Sequence, residues 1–437
     1  MYKAFAPSAD VWYTVFYMLD IKFIRENKEL VAAGALKKHI NFNVDELLSA
    51  DDVRRALLAE VEVMRGKQNE TANLVPRAAS NEERARLISE SKELKDVLQK
   101  KEEELTEAIK KWQALMVQVP NIPDMSVPEG ASDADNAEAR TWGEAPKFSF
   151  TPKRQIDLMQ NLKMLDLERG TKVAGFRGYF LMNDGALLQF ALWNFVQDFF
   201  AQKGGFVPMI VPSLIRREPF IGTGYLPQSE EDLYKTQDGE YLSGTAEVAT
   251  MGFYMDETIE KKDLPLKMLS FSPAFRREAG SHGRDTKGIM RVHEFYKLEQ
   301  VVLCEASHEE SVKYHEELTQ NTEELMQALG LPYRVVVNCG GDLGLGQVKK
   351  YDIEAWIPSE NTYRETHSSS YFHDFQTRRL NIRYRDDDGK MRFAHSLNNT
   401  ALSGRPLIAL IETYQNEDGS IRVPEVLKKY IGKDVLK

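Results

Sequence analysis

From residue 45 to about 118 only Gly66 and Pro76 interrupt a stretch whose hydrophobic residues recur every seven positions, and such a stretch is long helix. In its second half Leu87, Leu94, Ala108 and Leu115 lie on one seven-residue track, while Leu98, Leu105, Trp112 and Val119 lie on another, offset by four. That is an a/d seam. Ser91 and Lys101 break its register without abolishing it, and the first half repeats the spacing less cleanly through Leu47, Ala50, Leu57, Val61, Met64 and Val75. Between the halves, Val75-Pro-Arg-Ala-Ala-Ser-Asn81 carries a helix-stopping proline and then Ser80 and Asn81 as N-cap candidates, so an antiparallel hairpin is expected. A helix of about 30 residues reaches about 45 Å. Such an arm is expected to extend beyond a compact body.

The chain has 437 residues, too many for one core, and two or three units are expected. Its hydrophobic fraction of 42% and charged fraction of 28% are ordinary for a soluble globular protein, and no apolar run is long enough to span a membrane. The apolar stretch Val11 to Leu19 is preceded by only one basic residue, Lys3, and lacks a small-residue cleavage site, so no secretory signal is expected. Cys304 and Cys339 are too few for a disulfide framework or a Cys-rich zinc site, which fits a reducing compartment and predicts no zinc. A formal charge of −10 excludes indiscriminate polyanion binding; nucleic acid would have to meet local basic patches. Between Glu82 and Lys111 acidic and basic residues are nearly balanced, as on a solvated helix face, and some of these lysines are equally placed to meet RNA phosphates.

Residues 119–153 are rich in proline (Pro120, Pro123, Pro128, Pro146, Pro152) and read as a linker. From 154 to 437 strand-like and helical patterns alternate. Tyr333 to Asn338, Tyr351 to Ile357 and Asn381 to Arg385 alternate like strands, Gly185 to Ala201 and Ser311 to Leu329 read as helices, and hairpin-like turns such as Asp386 to Lys390 join neighbours. The expected class is α+β with an antiparallel sheet. The glycines from Gly340 to Gly346 lack P-loop and Rossmann spacing and read as a turn.

Phe275 to Gln300 reads as strand, glycine-rich basic loop (with Arg284, Lys287 and Arg291) and returning strand. Alternation puts Arg276 and Glu278 on one face, and Phe295, Lys297 and Glu299 on another shared face. Phe295 and Glu299 are then roughly 13 Å apart, a span suited to a substrate with an aromatic base at one end and a small amine at the other. An Arg-x-Glu pair alone is commonly a salt bridge between strands. Three further segments change that reading. Thr245-Ala246-Glu247 sets a hydroxyl and a carboxylate two apart, Glu365 stands beside the clustered hydroxyls of Thr366, Ser368, Ser369 and Ser370 as a hard-oxygen set of the kind Mg²⁺ accepts, and Arg405 opens an apolar helix whose dipole favours an anion.

With these segments, Gly222-Thr-Gly-Tyr-Leu-Pro227 and Tyr351-Asp-Ile-Glu354, the chain resembles the seryl-tRNA synthetases of the bacterial type from about Met18 to Tyr430. The resemblance implies a class II aminoacylation domain (154–437) carrying an N-terminal tRNA-binding domain (1–118) with a coiled-coil arm. It implies a cytoplasmic homodimer, its interface near Val211-Pro212, acting on ATP, L-serine and tRNA(Ser), with tRNA(Sec) as a further substrate and Mg²⁺ as cofactor. Residue by residue, it implies that Arg276 holds the serine carboxylate or the α-phosphate and that Glu278, beside Arg277, meets the adenine edge. Phe295 and Arg405 sandwich the adenine ring, and Arg291 meets the terminal phosphates. Glu365 and Ser368 hold Mg²⁺, with Thr366 and His367 in the same ATP-binding segment. Thr245, Ala246, Glu247 and Glu299 form the serine pocket, which Thr400 closes. Residues 1–17 lie outside the resemblance. Ala401 to Arg405 is one residue shorter than the family pattern and is followed by Pro406, which puts the aim of Arg405 in question.

Three alternatives stand beside this reading. A different class II synthetase is disfavoured because the sequence stops soon after the last motif, and an armless relative charging a carrier protein is disfavoured by the arm. A catalytically degenerate paralogue acting through binding alone has no reason to keep Thr245, Glu247, Arg276, Glu278, Glu299, Glu365 and Arg405 together.

Overall fold

The computed structural model describes residues 19–437 apart from Ser281, His282, Arg284 and Thr286. The expectations for residues 1–17 and for Arg284 therefore lie outside the described residues. Two compact units emerge, one containing residues 19–36 and 40–120 and the other residues 37–39 and 121–437.

The first unit is dominated by helices α1 (Val44–Leu74) and α2 (Asn81–Met116). Asn43 caps α1 by accepting from the backbone N–H groups of Asp45 and Glu46. Pro76 sits in a single 3₁₀ turn, Val75–Arg77, and Ser80 caps α2, its Oγ accepting from Glu83 N at 3.1 Å. The helices have 31 and 36 residues, hence lengths of about 46 and 54 Å. Val61, Leu98 and Leu105 form the buried seam, with Leu57, Met64 and Ile109 half-buried around it. Leu87, Trp112 and Val119 are buried too, whereas Leu94, Ala108 and Leu115 are half-covered. At the register break Lys101 turns to Glu60 of the other helix at 3.1 Å, and Arg65 meets Glu102 at 2.7 Å. Exposed pairs of this sort contribute little. The narrow apolar seam carries the hairpin.

The second unit is built on eight strands: β1 (Ala137–Trp142), β2 (Val207–Ile210), β3 (Leu266–Phe275), β4 (Glu294–Cys304), β5 (Tyr333–Val337), β6 (Lys349–Ile357), β7 (Thr362–His373) and β8 (His395–Leu402). In space they run β1-β5-β6-β7-β8-β4-β3-β2, and every pair is antiparallel except β2 with β3. This is the expected α+β architecture. The two helices read from the sequence are α3 (Asn183–Lys203) and, after two short helices α4 (Arg217–Thr223) and α5 (Glu247–Phe253), α6 (His308–Ala328). Leu188, Leu192 and Val196 of α3 pack in one core with Leu269 and Leu298 of the sheet. Following β7 comes the five-residue α7 (Phe375–Arg379), and following β8 comes α8 (Arg405–Thr413), whose Leu407, Ile408, Leu410 and Ile411 belong to that same core.

Two sequence expectations shift. Residues 137–142, inside the proline-rich segment read as a linker, form the edge strand β1, paired with β5. Its side chains are almost all exposed, so it carries no hydrophobic alternation, and it is held by main-chain pairing together with the Arg140–Glu323 ion pair at 2.6 Å and the stacking of Trp142 on Tyr333. The strand expected from Asn381 starts only at Arg383 and belongs to a separate small sheet. No helix among the described residues is long and apolar enough to cross a membrane.

Leu105 is 8% exposed in the narrow arm seam. Leu105→Ala should destabilise the hairpin by about 2–3 kcal/mol, the lower end for a leucine truncation because two helices can close over the void. Hydrogen exchange followed by mass spectrometry should show the loss of protection confined to residues 44–116. Equal loss across the sheet would show instead that the two units unfold as one.

Candidate active site

Strand β4 lies between β3 and β8, with Glu299 opposite Ser270 on one side and Thr400 on the other. Its alternation brings Phe295 and Lys297 to a pocket that Arg276, Glu278, Arg291, Thr400 and Arg405 also line. Arg276 and Glu278 arrive there by a route different from the expected one. Strand β3 ends at Phe275, and Glu278 adopts a left-handed backbone with φ of 55°. On the far wall, the β6–β7 ladder changes register between Ile353 and Glu354, so β7 carries one extra residue near Thr366. The bulge resets the alternation, and Glu365 and Ser368, three apart, both line the pocket. The short segment before Arg405 closes without distortion: Arg405 is the first residue of α8, and Pro406 sits in the opening turn, where its missing N–H is harmless.

Opposite charges inside this pocket pair with one another. Arg405 Nη1 lies 2.9 Å from the Glu365 carboxylate and 3.1 Å from its carbonyl oxygen. Arg291 donates to Glu278 at 3.1 Å and to Asp285 at 3.1 Å. The Arg276 guanidinium donates to the Gly244 carbonyl at 3.3 Å and lies 5.3 Å from the centre of the Phe295 ring. So filled, the pocket retains about 80 Å³, well below the about 300–1,000 Å³ usual for a small-molecule site. An aromatic-walled cavity of about 490 Å³ adjoins it through Tyr179, Leu181, Gln189, Phe295 and Gly404.

Burial would raise the Glu365 carboxyl, but Arg405 and Lys350 outweigh it and hold the group at about 2. Its side chain remains 43% exposed. An ionised, reachable carboxylate with the Ser368 hydroxyl on the same wall is a hard-oxygen pair of the type magnesium accepts beside substrate phosphates and water. Among the described residues no group of three His, Cys, Asp or Glu side chains is placed to hold a metal. His367 is pushed down to about 3 by burial, so at neutral pH it lines the pocket as an uncharged imidazole. The Thr366 hydroxyl is committed to the Ile353 carbonyl at 3.0 Å.

Behind the pocket lies a second, fully buried cluster. Thr245 and Glu299 are each 1% exposed and Glu247 is 3% exposed. Glu299 is paired with Lys297, and Thr245 Oγ1 donates to Glu299 at 3.3 Å. Burial raises the Glu299 carboxyl, with Lys297 opposing. Glu247 is raised to about 7 by burial, against the hydrogen bond from Gln376, with Glu299 adding to the rise. Ala246 is buried at the N-cap of α5, and the Thr245-Ala-Glu247 segment is thus a turn entering a helix. Arg277 is not part of this assembly. It lines a separate depression with Glu230, Tyr234 and Tyr241.

Sequence reasoning named Lys297 only as a strand neighbour and missed Tyr225 and Gln376, which bond Glu247 from α4's trailing loop and from α7. Tyr225 stood within a recognised motif. Gln376 carried no signal, being 129 positions from its partner.

Residues 18–123 match the family model of the seryl-tRNA synthetase N-terminal domain, and residues 233–414 match that of the class II tRNA synthetase core domain (G, H, P, S and T). The serine–tRNA ligase of Deinococcus radiodurans is 47% identical over 417 residues, covering 95% of this chain and 98% of the relative. That of Carboxydothermus hydrogenoformans is 43% identical over 421 residues, covering 95% and 99%. Among solved structures, the seryl-tRNA synthetase of Pyrococcus horikoshii complexed with ATP superposes with a TM-score of 0.87 at 40% identity, covering 96% of this chain and 99% of that one. The cytoplasmic serine–tRNA ligase of Naegleria fowleri in complex with AMP gives 0.83 at 32% identity, with the same coverages. A pocket of arginines and carboxylates on an antiparallel sheet, a helical hairpin in the other unit, and likeness along nearly the whole chain agree: the chain belongs to the seryl-tRNA synthetase family.

Proposed function

We propose that this chain is a serine–tRNA ligase that activates L-serine with ATP and transfers it to tRNA(Ser), and to tRNA(Sec) where that species is present, in the cytoplasm. The observation that carries the reading is the buried Thr245–Glu299 cluster lying directly behind a pocket of arginines. A small amino acid with a hydroxyl fits the first, and a nucleoside triphosphate fits the second.

The serine ammonium and hydroxyl are received by Thr245, Glu247 and Glu299, with Thr400 and the Ala246 turn closing the pocket. Arg276 leaves the Gly244 carbonyl to hold the serine carboxylate against the α-phosphate. Phe295 and Arg405 stack on the adenine, Glu278 accepts from its edge, Arg291 neutralises the terminal phosphates, and Thr366 and His367 form the wall beside them. Arg277, turned elsewhere, contributes at most through its backbone. Glu365 and Ser368 would hold Mg²⁺, which supplies charge neutralisation at the triphosphate. A serine carboxylate oxygen attacks the α-phosphorus, the bond to the β-phosphate oxygen breaks, and pyrophosphate leaves. The terminal ribose hydroxyl of the tRNA then attacks the seryl carbonyl and AMP departs. No side-chain nucleophile is needed, since positioning and charge stabilisation suffice.

In this reading residues 1–118 form the tRNA-binding domain, 119–153 connect it, and 154–437 carry out the chemistry. The functional unit is a homodimer. Its support is the edge strand β2, where Val207 is 58% and Ile210 87% exposed. An apolar sheet edge of this kind is unusual unless another chain covers it.

Three outcomes test the proposal. Serine alone of the twenty amino acids should drive ATP–pyrophosphate exchange, and Glu299→Ala should abolish it; exchange with another amino acid, or with none, would overturn the assignment. Deleting residues 45–118 should abolish tRNA charging while serine-dependent exchange persists, and charging by the truncated chain would remove the arm from recognition. Ile210→Lys should shift the sedimentation coefficient from dimer to monomer, whereas a monomeric parent chain would refute the homodimer.

A further inference from the structure

Glu247 is a buried carboxylate whose two oxygens are served by neutral donors. Gln376 Nε2 donates to Oε1 at 2.6 Å, and Tyr225 Oη donates to Oε2 at 3.3 Å. The neighbouring ammonium, Lys297, is bonded instead to Glu299 and Thr245. Gln376 is 1% exposed, and its amide can stand only one way round. Its NH₂ faces two acceptors, Glu247 and the Thr223 carbonyl at 3.4 Å, while its oxygen accepts from Ser396 Oγ at 2.8 Å. Turning the amide over would set its oxygen against a carboxylate and a carbonyl.

We propose that Gln376 is a positioning residue for amino-acid recognition: oriented by Ser396, it keeps the Glu247 carboxylate aimed and ionised so that it can receive the substrate ammonium. The inference rests on the reading of Glu247 as part of the serine pocket. Around Glu247 stand Tyr225 after α4, Lys297 and Glu299 of β4, and Arg276 beyond β3, while Arg379 of α7 donates to the Ile221 carbonyl. Only the ionised carboxylate attracts an ammonium, and it prevails above the Glu247 pKa, already raised to about 7 by burial. Removing the amide donor disfavours the charged form, so the pKa climbs further and the ionised fraction near neutrality falls.

The test is the pH profile of the serine KM in ATP–pyrophosphate exchange between about pH 6 and 9, with the ATP KM measured alongside. Gln376→Met should raise the serine KM roughly tenfold or more near neutrality, the loss shrinking toward alkaline pH, with the ATP KM unchanged. Ser396→Ala, which frees the amide without deleting it, should give a smaller shift of the same shape and serves if the first variant does not fold. Serine profiles parallel to the parent's, or serine and ATP KM rising together, would overturn the positioning role. Glu247→Gln separates the two layers. If it leaves the serine KM unchanged the pocket reading fails, whereas if it raises that KM and the Gln376 and Ser396 variants do not, only the present inference fails.

Discussion

The register of β4 between β3 and β8 is the constraint on which the site depends. With Glu299 opposite both Ser270 and Thr400, Phe295, Lys297 and Glu299 of β4 share the face toward the site and Leu298 faces the core under α3. A slip of one residue would exchange the two sets, burying Tyr296 in the pocket wall and turning the Lys297–Glu299 pair into an apolar core. The cost of burying those charges in the wrong layer makes the slip prohibitive, so the pocket's chemistry and the sheet's pairing enforce each other. The same strand continues to Val301 and Leu303 in a second core with Met251 of α5, which anchors the turn bearing Thr245 and Glu247.

Electrostatic self-pairing explains how so many charges coexist without substrate. Arg405 with Glu365, Arg291 with Glu278, and Lys297 with Glu299 each keep a partner at hydrogen-bond distance. Partly buried charges left single would each be strongly destabilising, whereas pairs of this kind are near neutral to stability. In the proposed reading a triphosphate with its cation would bring charges of both signs and so permit an exchange of partners: guanidinium to phosphate, carboxylate to cation. In that reading the small residual volume of the pocket is the geometric form of the same pairing, because side chains that a substrate would draw aside occupy its place.

The parts legible in the sequence were those written in a period. Seven-residue spacing yields the hairpin, including the break at Lys101, which the structure resolves by pairing it with Glu60. Two-residue spacing yields the shared face of Phe295, Lys297 and Glu299. Where periodicity stops, so does legibility. Glu278 enters the pocket through a left-handed backbone, and Glu365 and Ser368 share a wall only because of a bulge. Residue types alone marked Glu365 and its neighbouring hydroxyls as hard-oxygen ligands, whereas the role of Glu278 and the pairing of Glu365 with Ser368 came from family resemblance; spacing alone would have set Glu365 and Ser368 on opposite faces. Strand β1 had no pattern to read, and Gln376 was invisible because its importance lies in a partner distant along the chain.

On the proposed serine pocket, selectivity for a hydroxyl would follow from how the deep cluster is satisfied. Lys297, Glu299 and Thr245 already bond one another, so a substrate hydroxyl must join a network whose members are at most 7% exposed and have no recourse to water. Seating the ammonium would draw Glu299 and Thr245 out of this mutual pairing, and alanine would then offer no hydroxyl in exchange; an unmet buried polar group costs about 1–3 kcal/mol, more when charged. Recognition built on such groups discriminates far better against a missing hydroxyl than an apolar pocket discriminates against an added methylene. In that reading the burial that raises the Glu247 and Glu299 carboxyls would also make the pocket selective, since in an exposed site water would satisfy the groups that alanine leaves unpaired.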